Sequence, residues 1–142
     1  MQNPTPQKIT VSVSINAPIQ KVWAYFTEPE KVMLWNNASP DWHTPFAEND
    51  LRIGGKFVYR MEAKDGSFGF DFGGKYDQVI LNEFISYVMD DGRKVTITFK
   101  SEADTTDITE VFDAEMLNPI EMQRNGWQSI LDNFKDVVEK GH

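Results

Sequence analysis

Four carboxylates fall in strand-like stretches where an acid or base could act: Asp71, Asp77, Glu110 and Asp113. Glu110 stands out, because it alternates with Ile108 and Phe112 and so shares a strand face with them. If that face points inward, burial raises the carboxyl pKa and creates an acid or base in an apolar setting. A bulge turning it to solvent, or a pairing with Arg60 or Lys100, would make its place structural instead.

Little else could complete a catalytic set. A serine nucleophile needs a base, and the only histidines are His43, in a loop between Trp42 and Thr44, and His142 at the terminus. There is no cysteine, which removes disulfides, thiolate metal sites and a thiol nucleophile. One usable histidine with carboxylates is a poor metal set. No catalytic residue, metal or cofactor is assigned.

The rings are more telling. Ten Phe, four Tyr and four Trp make an aromatic-rich chain, suited to a large core or to pocket walls. Trp35, Trp42, Phe57, Tyr59, Phe72, Tyr76 and Trp127, with Leu131 and Glu110, form the candidate ligand-binding set. Plain core packing is the competing reading for each. Tyr59 and Tyr76 carry phenols able to orient a ligand's polar group.

These residues are distributed over a simple order of elements. Residues 1–7 read as a tail. Ile9, Val11, Val13 and Ile15 alternate as a half-buried strand. Asn16 and Pro18 open a helix through Phe26, and Pro29 opens a second ending near Trp35. Residues 36–53 look irregular. Hairpin signals at Asp65–Gly66 and Asp91–Gly92 then punctuate a meander of strands, and Gly73–Gly74 suggests a bulge or bend. Asn118 and Pro119 start a last helix, with Trp127, Ile130, Leu131, Phe134, Val137 and Val138 at helical spacing. Gly126 inside it implies the close approach of a neighbour.

The length of 142 residues suits one domain, and no linker or repeat divides it. The fold class is α+β: a curved antiparallel sheet of six to seven strands wrapped around the long C-terminal helix. Such a sheet cannot meet the helix closely along its whole length, so the gap holds large side chains or a guest; flat packing with no gap is the alternative. A net charge of −8 without a basic run speaks against nucleic acid and against an anionic membrane surface. No stretch has the ~20 apolar residues of a membrane span. Without a signal-peptide core at Met1 to Lys8, a cytoplasmic location is expected.

Several motifs carry a resemblance. Ile15-Asn16-Ala17-Pro18 before Val22-Trp23, Pro29-Glu30 before Trp35, the run Asp50 to Phe57, Asp65-Gly66, Gly74, and Gly126-Trp127 with Leu131 and Phe134 recur in order. The chain resembles the START-like (SRPBCC) superfamily, in the branch related to the C-terminal domain of the activator of the heat-shock chaperone ATPase. That resemblance implies the helix-grip fold over nearly the whole chain. It also implies a range of functions, from lipid carriers to polyketide cyclases and chaperone regulators, so function must be argued from the site. The leading expectation is a non-catalytic binder of a small hydrophobic or amphipathic molecule. The alternatives are a chaperone-regulating module and a cyclase or hydrolase using Glu110 or His43 with a tyrosine. A homodimer is left open by the exposed sheet edge.

Overall fold

In the computed structural model, which describes residues 7–141, the first alternating stretch becomes β1 (Lys8–Ile15), with Ile9, Val11 and Ile15 buried. The expected tail lies outside the described residues except for Gln7, whose carbonyl accepts the Ala114 N–H at 2.7 Å. Two short helices follow, α1 (Ile19–Thr27) and α2 (Pro29–Trp35). Glu28 separates them in an extended conformation, φ −75° and ψ 126°. The proline after it disfavours helical geometry at that residue.

The loop expected over 36–53 is corrected by a strand, β2 (Trp42–Asn49). Its hydrophobic period is broken by a register shift between His43 and Phe46, where Pro45 has no N–H for a ladder. It is an edge strand, paired only with β3 (Lys56–Ala63). The meander continues through β4 (Gly69–Ile80), β5 (Phe84–Met89), β6 (Lys94–Glu102) and β7 (Thr105–Asp113). Gly92 closes the β5–β6 turn at φ +92°, a conformation that costs glycine nothing. All pairs are antiparallel, in the order β1-β7-β6-β5-β4-β3-β2.

The break expected at Gly73–Gly74 falls three residues later. β4 runs through both glycines, and the register shifts between Tyr76 and Gln78. Gly74 is needed for another reason. A Cβ there would sit 2.7 Å from the Val88 carbonyl and 3.1 Å from the rings of Phe57 and Tyr87. The glycine therefore lets two rings close over the strand.

The sheet curls around α3 (Ile120–Lys140), giving the helix-grip α+β architecture. At 21 residues the helix is ~30 Å long. Leu131, Phe134, Val137 and Val138 form its buried stripe. The caps differ from expectation. Pro18 and Pro119 occupy the positions flanking α1 and α3, and neither asparagine caps. The Asn16 N–H binds Glu139 Oε2 at 2.8 Å, and the Asn118 N–H binds Glu115 Oε1 at 3.0 Å. Among the described residues, no helix is long and apolar enough to cross a membrane.

Candidate functional site

The close backbone partners of α3 are β1, α1 and α2. Over β3, β4 and β5 it stands off, and a cavity of about 370 Å³ lies between. The inward faces of the strands build the floor, because residues two apart share a face. β3 contributes Phe57, Tyr59 and Met61; β5 contributes Ile85, Tyr87 and Met89. From above, Trp127 and Gly126 of α3 close the space.

The rings interlock. Phe57 contacts Tyr59, Phe72, Tyr76 and Tyr87, with centroids 4.8–5.8 Å apart. Such tilted and edge-on pairs suit the charge distribution of aromatic rings. Trp127 lies flat on Phe112, with centroids 3.9 Å apart. Trp35 closes one end, its indole N–H donating to the Tyr25 carbonyl at 2.7 Å.

Polar groups are few. The Tyr76 hydroxyl donates to Asn49 Oδ1 at 2.6 Å, and the Asn49 amide donates to the Thr27 carbonyl at 2.7 Å. Burial raises the pKa of Tyr59, Tyr76 and Tyr87, so all three phenols stay protonated at neutral pH.

Glu110 faces inward beside Ile97, its neighbour across the β6–β7 ladder. It is 8% exposed, and no ion pair or hydrogen bond engages its carboxyl among the described residues. Neither alternative foreseen for it occurs: Arg60 pairs with Glu62 and Asp71, and Lys100 lies near Glu102. Burial pushes its pKa up to about 8.

Seven of the nine candidate residues line this cavity: Trp35, Phe57, Tyr59, Phe72, Tyr76, Glu110 and Trp127. Two do not. Trp42 packs edge-on against Phe68 and Phe70 and borders a separate, open groove beside α2 and α3. Leu131 is 2% exposed within the core, off the cavity lining. The remaining acids also lie off the cavity lining: Asp71 meets Arg60, Asp77 meets Ser86, and Asp113 holds Lys8 and the Lys94 N–H. His43 is beside Glu62, bordering the outer groove.

A family model described as "Activator of Hsp90 ATPase homolog 1-like protein" matches residues 16–139. The chain belongs to the AHSA1-like family. This places it in the START-like superfamily, in keeping with the fold. The solution structure of an AHSA1-like protein from Aeromonas hydrophila is 46% identical, with 94% of this chain and 93% of that one covered and a TM-score of 0.89. The solution structure of Chr148 from Cytophaga hutchinsonii is 54% identical, with 95% and 96% covered and a TM-score of 0.81. A crystal structure of CV1439 from Chromobacterium violaceum is 25% identical, with 94% and 99% covered and a TM-score of 0.82. No curated protein matches the chain.

Sequence reasoning missed two features of this AHSA1-like cavity. Tyr87 points into it, and the alternation of Ile85, Tyr87 and Met89 was the available signal. Gly126 was expected to meet a close neighbour; instead a Cβ there would have nothing within 4 Å. It borders the cavity, and the missing side chain widens the space.

Proposed function

We propose that this AHSA1-like chain works as a single START-like domain that binds a small hydrophobic or amphipathic molecule between sheet and helix, in the cytoplasm. The carrying observation is the cavity of about 370 Å³, walled by rings from β3, β4, β5 and α3. Ligand sites are typically concave, mostly apolar and furnished with a few placed polar groups. Glu110, Tyr76 and Tyr87 are such groups here. The wall residues under this reading are Trp35, Phe57, Tyr59, Phe72, Tyr76, Glu110 and Trp127. Native mass spectrometry of protein purified from its own host tests it. A co-purified small molecule released on denaturation is the expected result; an empty protein that also rejects a library of apolar compounds would sink the reading.

A chaperone-regulating role is the second reading, favoured by the description of the matching family. A pull-down from host lysate that recovers a chaperone of the Hsp90 class, and a change in its ATPase rate on addition of the protein, would support it.

A further inference from the structure

Two polar side chains on the cavity lining, Glu110 and Tyr87, have no hydrogen-bond partner among the described residues. Glu110 lines the cavity from β7, nine-tenths buried and with nothing bonded to its carboxyl among the described residues. Tyr87 lines it from β5, 6% exposed, and its hydroxyl has no hydrogen-bond partner among the described residues. Tyr87 lies near enough to both Glu110 and Arg93 to feel their charges. Arg93, at the β5–β6 turn, also borders the cavity, with Nε 2.8 Å from Asp91 Oδ2. Among the described residues no fully enclosed side-chain polar atom lacks a partner, so these two unbonded groups, Glu110 and Tyr87, open onto the cavity itself, where an occupant can bond them.

The protonation states decide what such an occupant offers. Burial holds Glu110 near 8 and Tyr87 well above its ordinary value, so both keep their protons at neutral pH. A neutral carboxylic acid and a phenol can each donate. A carboxylic acid kept neutral by an apolar site is an established way to present a donor. The other titratable groups on the lining are Tyr59 and Tyr76 from β3 and β4, Arg93, and Glu115 ahead of α3; β6, α1, α2 and α3 add none. An ammonium head would require Glu110 to ionise in that setting and would face the Arg93 guanidinium. An oxygen acceptor requires neither.

We propose that Glu110, with Tyr87 beside it, donates hydrogen bonds to the polar end of an otherwise apolar ligand, and that this end is an oxygen acceptor, either a ketone-type carbonyl or a carboxylate. The proposal rests on the binding reading above and adds the class of ligand.

Four probes with one naphthalene body separate the cases: 2-acetylnaphthalene, 2-naphthoate, 1-(2-naphthyl)ethylamine and 2-ethylnaphthalene. Binding is followed by NMR shifts of the full-length protein, those of the Trp127 indole included. With Glu110→Leu, the ketone or the carboxylate should weaken about tenfold while 2-ethylnaphthalene holds or improves. Glu110→Gln, which keeps a donor but does not titrate, should retain ketone binding. Between pH 6.5 and 9.5 the wild type should lose ketone affinity, and Glu110→Gln should not. Loss with the ketone assigns a carbonyl head; loss with naphthoate alone assigns a carboxylate. Acceptor probes indifferent to Glu110→Leu, or an amine that binds tightest and depends on Glu110, would overturn the proposal while leaving the pocket intact. If 2-ethylnaphthalene enters neither protein, the pocket reading fails and the anchor with it. Thermal melts confirm that both variants are folded.

Discussion

Trp127 lies flat on Phe112, with ring centroids 3.9 Å apart and planes 13° from parallel. This contact joins α3 to β7 at the border of the gap over β3–β5. It fixes the indole as a wall of the cavity rather than a plug within it. Phe112 is fully buried, so Phe112→Ala should cost about 3–5 kcal/mol, the usual range for a buried ring. It should also free Trp127 to move into the cavity. Urea denaturation reads the first effect, and a shifted NMR signal of the Trp127 indole in the folded variant reads the second.

Gly126 offers a test in which stability and binding move in opposite directions. Glycine in a helix interior is worse than alanine by about 1 kcal/mol, and nothing lies within 4 Å of a Cβ built here. Gly126→Ala should therefore raise stability by roughly 0.5–1 kcal/mol. Gly126→Leu should keep the fold and fill part of the 370 Å³ space, lowering the affinity of apolar probes. Thermal melts and probe titrations on both variants measure the two effects separately.

The sequence patterns behind these predictions were unequally readable. The α3 stripe and the Asp91–Gly92 hairpin were legible because each depends on local spacing or local backbone geometry. The alternation of Glu110 with Ile108 and Phe112 raised an inward aim but left a bulge or an ion pair open, because local spacing does not show which charges lie nearby. β2 was not, because Pro45 and the register shift after His43 destroy the alternation that marks a strand. Gly126 was misread for a different reason. A glycine in a helix marks either a close neighbour or an open space, and only the tertiary arrangement tells which. Trp42 and Leu131 had the right residue types for a cavity, but which side of β2 and of α3 faces the gap is set by packing between distant elements.

Glu110 should give the protein a distinctive pH dependence. Its folded pKa is raised to about 8, above the ordinary 4.5. The folded state therefore binds the proton more tightly than the unfolded state. Its contribution is fully present below pH 4.5 and is lost as pH rises toward and through 8, at up to ~1.4 kcal/mol for each pH unit between those values. Relative to Glu110→Gln, the wild type should lose a few kcal/mol of stability across that window. Parallel urea titrations from pH 5 to 9 check it; parallel curves for the two proteins would show that Glu110 is solvated and titrates normally.

Asn49 ties three elements together where the cavity meets the sheet edge. Its side chain accepts from Tyr76 on β4 and donates to the carbonyl of Thr27, the last residue of α1. That carbonyl is one of those a helix end leaves without an internal partner. Asn49→Ala strands the carbonyl and the buried phenol together, at a cost of about 1–3 kcal/mol. Asn49→Asp keeps the acceptor for Tyr76 but sets a carboxylate oxygen against the Thr27 carbonyl, so it should be at least as destabilising at neutral pH. It should recover as pH falls, when the acid can donate. Tyr76→Phe removes one bond and leaves Asn49 to hold Thr27, so it should cost less than Asn49→Ala. Urea midpoints for the three variants at pH 5 and pH 7.5 give the ordering, and equal losses for all three would show that the Asn49 bridge does not form in solution.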